Sequence, residues 1–204
     1  MAGCPCGVCM IGLPEERTSL LIGDPQVISV HQTMPLVAHD NPDELGQLPK
    51  VYLVSADVTK LNSDQLRAAT RIACKEKGAM GGSREHQTSR SYRFPFALFA
   101  VHSDSVGIDI EFVDPYDPVF AESICTPAEW SKSQTRPETS LEVADVWSSK
   151  EALAKALGDA VKYDPRRLPS LALTPDSATG AWHTARIDVP FGYTGWVVWK
   201  HENA

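Results

Sequence analysis

The segment Val106–Phe112, reading VGIDIEF, constrains this chain more than any other stretch. Successive side chains of a strand point to opposite faces. Val106, Ile108 and Ile110 therefore share one face, and Asp109 and Glu111 share the other. The apolar face must meet a core. Two neighbouring carboxylates repel, so their face asks either for water or for a cation held between them. Mg²⁺ suits such a pair, since it commonly binds through one or two carboxylates together with substrate phosphates. A solvated strand face is the plainer explanation of the same two acids.

The second constraint is a helix predicted over Asp145–Gly158. Trp147, Glu151 and Lys155 recur on it at i, i+4 and i+8, which lines them up as one stripe. A surface Glu–Lys pair would account for two of them. The tryptophan argues that this stripe is at least partly buried. Lys150 points about 100° away from Glu151 and need not share its role.

Other elements follow from local chemistry. Residues 1–50 are broken by Pro5, Pro14, Pro25, Pro35, Pro42 and Pro49, leaving short apolar runs at Gln26–Val30 and Pro35–Ala38. Lys50–Val58 is dense in β-formers and reads as a buried strand. Ser63 is the expected N-cap of a helix from Asp64 to about Lys77, with Leu66, Ala69, Ile72 and Ala73 on its apolar face. Gly81–Arg93 is polar and reads as a loop, Phe94–Val101 as a strand, and His102–Ser105 as the turn before VGIDIEF. Thr126-Pro127 marks a helix start within Ser123–Trp130. Arg186–Val189 and Thr194–Lys200 read as closing strands. This makes an α+β chain.

The net charge of −7 argues against a nucleic-acid partner, because phosphate neutralisation needs a basic face. No stretch reaches the roughly 20 apolar residues of a membrane span. Met1–Gly12 lacks the basic and apolar regions of a signal peptide, so a cytoplasmic location is expected. Cys4, Cys6 and Cys9 crowd the start; they read as a thiol-bearing tail, with a zinc site as the alternative.

The GIDIE of Gly107–Glu111 and the WSSKEALAK of Trp147–Lys155 stand about 36 residues apart. Together they resemble the paired signature of the 4′-phosphopantetheinyl transferases, G-[IV]-D-[IVL]-E followed by W-[ST]-x-K-E-[AS]-x-x-K. The resemblance spans residues 89–200, and 51–82 in pattern only. It implies the larger, surfactin-synthetase type: two similar α/β halves with antiparallel sheets about a pseudo-twofold, here 1–103 and 104–204, acting as a monomer. It also implies transfer of phosphopantetheine from coenzyme A to a serine of an acyl or peptidyl carrier protein. By position, Asp109, Glu111 and Glu151 would ligate Mg²⁺ with the coenzyme A pyrophosphate. Glu151, or a water it orients, would take the serine proton, and Lys155 would neutralise the departing 3′,5′-ADP.

The family usually carries Ser-His-Ser upstream, its histidine on the 3′-phosphate of coenzyme A. Here Ser89-Arg90-Ser91 stands in that place. Arginine holds phosphate bidentately at any pH. Arg90, Ser89 and His86 are therefore the expected coenzyme A contacts, with Arg84 and Arg93 as further basic candidates. Arg67, Arg71 and Lys75 of the first helix are expected to face solvent.

Overall fold

The computed structural model describes residues 28–33, 35–36, 48–79, 86–132, 135–160, 162–173 and 182–200. Cys4, Cys6, Cys9 and Arg84 lie outside them. Eight strands and four helices are seen among the described residues: β1 (Ile28–Thr33), β2 (Pro35–Leu36), β3 (Lys50–Ala56), α1 (Ser63–Ala79), β4 (Gln87–Arg93), β5 (Phe96–His102), β6 (Val106–Phe112), α2 (Pro118–Ile124), α3 (Pro127–Ser131), α4 (Ser140–Ala156), β7 (Trp182–Ile187) and β8 (Tyr193–Lys200). The fold is α+β.

Two four-stranded antiparallel sheets form, in the orders β1-β3-β5-β4 and β2-β7-β8-β6. Alternation along the strands explains why they stack. Val51, Leu98 and Ala100 of the first sheet meet Ile108, Ile110, Ile187, Val197 and Trp199 of the second in one buried cluster. Fully burying each Ile, Leu or Val stabilises the fold by about 1.5–3 kcal/mol. The residues between them, Tyr52, Val54, Ala97 and Phe99, face the other way, onto Leu66, Ala73 and Cys74 of α1. On the far side Trp196 and Val198 receive Ala152, Leu153 and Ala156 of α4. The result is four layers: α1, first sheet, second sheet, α4.

Helix α4 lies unusually close to β6. A Cβ built on Gly107 would stand 1.8 Å from the Ala152 carbonyl oxygen and 2.6 Å from the Ala156 nitrogen. Only glycine permits that approach. The glycine of GIDIE is thus a packing requirement.

The structure corrects several local expectations. Gln87–Arg93, expected to be loop, is the edge strand β4. Its polar side chains are no obstacle, because Ser89 and Ser91 are buried against β6: Ser89 Oγ accepts the Ile108 N–H at 3.1 Å, and Ser91 Oγ donates to Asp109 at 2.7 Å. Helix α1 is capped by Asn62 rather than Ser63, since Asn62 and Gln65 exchange backbone-to-side-chain bonds at 3.0 Å each way. Ile72 is 47% exposed, off the buried face that Leu66, Ala69 and Ala73 form. Ser123–Trp130 is two helices, α2 capped by Asp117 and α3 capped by Thr126. Helix α4 begins at Ser140, five residues before the expected start, under a capping box of Thr139 and Glu142.

Candidate active site

The acidic face of β6 is covered by α4, so the carboxylates that solvent could have bathed are buried. Asp109 is 2% exposed and Glu111 9%. The stripe on α4 points at them. Lys155 Nζ donates to Asp109 at 2.6 Å and to the Ile108 carbonyl at 3.1 Å. Trp147 Nε1 donates to Glu111 Oε1 at 3.1 Å. Arg93, the last residue of β4, forms an ion pair with the other Glu111 oxygen. Glu151 accepts from the Tyr163 hydroxyl at 2.6 Å. The Trp147 ring lies between Tyr163 and Phe120 of α2, with centroids 6.4 and 5.7 Å away.

Electrostatically the group is crowded. Burial, and then the neighbouring Asp109 charge, push the Glu111 carboxyl up to about 7, although Arg93 and Trp147 oppose them. Burial also raises the Glu151 carboxyl, again with Asp109 contributing and Tyr163 opposing. Burial together with the Glu151 carboxylate drives the Tyr163 phenol far above its ordinary range, so this residue acts as a hydrogen-bond donor. Among the described residues, two buried side-chain oxygens have no partner, Asp109 Oδ2 and Ser148 Oγ. An unsatisfied carboxylate oxygen beside a second buried carboxylate is a costly arrangement unless positive charge arrives.

Among the described residues no three His, Cys, Asp or Glu side chains surround a common point as a closed metal cage would. Asp109, Glu111 and Glu151 instead each hold their own donor. The donor set nevertheless fits Mg²⁺, which takes one or two carboxylates and completes its shell with water and phosphate oxygens. Asp109 Oδ2 is the unpartnered oxygen for that purpose. A cavity of about 430 Å³ opens beside Glu111, lined by Arg93, Phe112, Phe120, Val143 and Trp147 among others.

The expected coenzyme A contacts are not gathered here. Arg90 and Tyr92 sit on the other face of β4 from Ser89, Ser91 and Arg93, toward α1. There Arg90 joins Arg67 and Arg71 in acting on Tyr92, and Arg67 stacks 4.7 Å from that ring. Ser89 is committed to the β6 backbone, and His86 precedes β4. Arg67, Arg71 and Lys75 are exposed.

Two residues escaped the sequence reading. Tyr163 follows α4 in a polar stretch with no period to flag it. Lys150 lies off the stripe, yet its side chain is wholly buried. Its Nζ donates to the Ile124 carbonyl at 2.7 Å, to Glu129 at 2.7 Å and to the Pro165 carbonyl at 3.0 Å. Glu129 in turn accepts the backbone N–H groups of Thr126 and Ser170. This lysine ties α4 to α2, α3 and the turn at Pro165–Arg167.

A family model described as the 4′-phosphopantetheinyl transferase superfamily matches residues 105–195. No curated protein matches the chain. No helix among the described residues is long and apolar enough to cross a membrane.

Proposed function

We propose, from the match of residues 105–195 to the 4′-phosphopantetheinyl transferase superfamily, that the chain moves phosphopantetheine from coenzyme A to a serine of an acyl or peptidyl carrier protein. The observation that supports this reading is the pairing of buried Asp109 on β6 with Lys155 on α4, which leaves one carboxylate oxygen of Asp109 unpartnered beside buried Glu111. Asp109 and Glu111, with Glu151 nearby, are the residues that would hold Mg²⁺. When bound, that ion would neutralise the pyrophosphate and the charge that develops as the phosphoanhydride breaks.

The chain's own residues divide the remaining work. A bond forms from the serine Oγ to the phosphorus attached to pantetheine, and the bridging oxygen leaves with 3′,5′-ADP. Glu151 accepts the serine proton, directly or through water; its burial favours a proton-accepting carboxylate with a raised pKa. The Tyr163 hydroxyl keeps that carboxylate oriented. Lys155, with two of its three donors engaged among the described residues, has the third for the 5′-phosphate of the departing 3′,5′-ADP. The cavity beside Glu111 offers room for the pantetheine arm and the serine loop to meet. The nucleotide end is assigned to the basic face of β4 and α1, where Arg90 stands, with His86 at its edge and Ser89 as the strand anchor behind it.

The chain is proposed to work as a monomer of two halves, 1–103 and 104–204. The free buried thiols of Cys74 and Cys125 suit a reducing cytoplasm. Arg90's position on the α1 face favours one second reading, a diverged enzyme on the same fold with a donor other than coenzyme A. Mass spectrometry of an apo-carrier incubated with coenzyme A and Mg²⁺ separates the two. A mass gain equal to phosphopantetheine is expected, and no gain across a panel of acyl and peptidyl carriers would overturn the assignment.

A further inference from the structure

Both carboxylates nearest the expected metal position are covered by cations of the chain itself, Glu111 by Arg93 and Asp109 by Lys155. The two covers differ in freedom. Lys155 is 20% exposed and also bonded to the Ile108 carbonyl. Arg93 is 49% exposed and sits at the end of β4, where the chain turns away into Phe94-Pro95. It also borders the cavity of about 430 Å³ beside Glu111, so the guanidinium has space to move into. Glu111 meanwhile has a second donor, Trp147, that keeps its carboxylate in place when Arg93 departs.

We propose that Arg93 is a phosphate-binding residue with two alternating partners: Glu111 when no divalent cation is present, and a phosphate oxygen of the donor once a cation takes that carboxylate. The inference rests on the reading of the site as a metal-assisted transferase, and it adds a residue which that reading leaves without a role. A guanidinium and a divalent cation compete for the same buried carboxylate, and the divalent ion attracts it more strongly. The displaced guanidinium stays beside the cavity, and its planar fork matches two phosphate oxygens. Uncovering the carboxylate and supplying the phosphate clamp are then a single movement. Metal and donor each make the other's binding easier, as reciprocal linkage requires.

This device has a signature that a purely structural ion pair lacks: removing Arg93 shifts the two affinities in opposite directions. Isothermal titration of the full chain with Mn²⁺ alone, and with coenzyme A in saturating Mn²⁺, reads both. Arg93→Gln should bind Mn²⁺ about three- to fivefold more tightly than wild type and coenzyme A about three- to fivefold more weakly. Arg93→Lys, which keeps the charge but loses the fork, should restore the Mn²⁺ affinity of wild type and only part of the coenzyme A affinity. Thermal melting of both variants confirms that they are folded, and Arg93→Lys carries the comparison if Arg93→Gln is not. Unchanged or weaker Mn²⁺ binding in Arg93→Gln, no loss of coenzyme A affinity, or a wild type that binds no Mn²⁺ would each overturn the proposal. A wild type that binds Mn²⁺ but not coenzyme A would instead fell the transferase reading, and the Mn²⁺ titrations would still decide whether Arg93 competes for Glu111.

Discussion

Lys150 and Lys155 stand five residues apart on α4, and both reach a carboxylate. Around Lys150 everything is complete. The ammonium has three donors and three acceptors, and Glu129 uses its remaining capacity on two backbone N–H groups. Around Lys155 nothing closes. Its ammonium has two acceptors among the described residues, Asp109 keeps an oxygen without a partner, and a second carboxylate stands buried beside it. Burial alone does not separate them, since both clusters are largely out of water. What separates them is whether the polar groups satisfy one another. A completed buried network holds elements together; an incomplete one keeps acceptor capacity for a further partner.

The largest effect expected from breaking this contrast lies in the completed cluster. Lys150→Met should cost about 3–5 kcal/mol of stability, because it leaves Glu129 charged and without its cation. Chemical denaturation measures it, and a loss below about 1 kcal/mol would show that the closed network is not what fastens α4. The open cluster should behave in the opposite way. Asp109→Asn should lower carrier modification on the order of a hundredfold while shifting stability by no more than about 1 kcal/mol, since it also relieves repulsion with Glu111. Turnover falling only in proportion to a lost fold would erase the distinction.

Arg90→Ala tests a third region, outside both clusters. It should weaken coenzyme A binding by about 1.5 kcal/mol and leave dephospho-coenzyme A unaffected, as calorimetric titration with each ligand would show. Equal losses for the two ligands would remove Arg90 from the 3′-phosphate. The smallest effect is expected at the start of the helix that carries both lysines. Thr139→Ala opens the capping box and should cost about 1 kcal/mol in a thermal melt, with no change in metal or donor affinity. A kinetic defect there would mean that the helix start and the acidic face are coupled more tightly than the geometry indicates.

The parts of this molecule legible in the sequence are those written in periodicity. The faces of β6 and the stripe of Trp147, Glu151 and Lys155 follow from spacing alone; in the structure Trp147 bonds Glu111 and Lys155 bonds Asp109, while Glu151 takes the Tyr163 hydroxyl. What stayed hidden depends on partners remote in sequence. Strand β4 carries no β-pattern because its inward residues are serines, and these are buried only where β6 supplies the groups they bond. Lys150 reads only as a residue off the stripe until Ile124, Glu129 and Pro165 are brought around it from three other segments. Arg90 and Arg93 look interchangeable as neighbouring basic residues, yet three positions along a strand put them on opposite faces. Asp117-Pro118, by contrast, is a helix start of the kind local chemistry writes plainly, a capping acid followed by proline.

The contact at Gly107 has a consequence for how such a site can be assembled from a chain. It locks one point of β6 to one point of α4, backbone against backbone. Asp109 and Glu111 are counted forward from that point on the strand; Glu151 and Lys155 immediately precede its two helix contacts, Ala152 and Ala156. Every distance within the acidic group is therefore measured from a single shared origin. The intervening 113–139 segment must deliver the helix to that origin, but it sets none of the spacings beyond it. Away from Ile124 and Glu129, which hold Lys150, length between the two motifs can vary and insertions belong there, whereas one added residue inside either motif would shift its half of the site against the other.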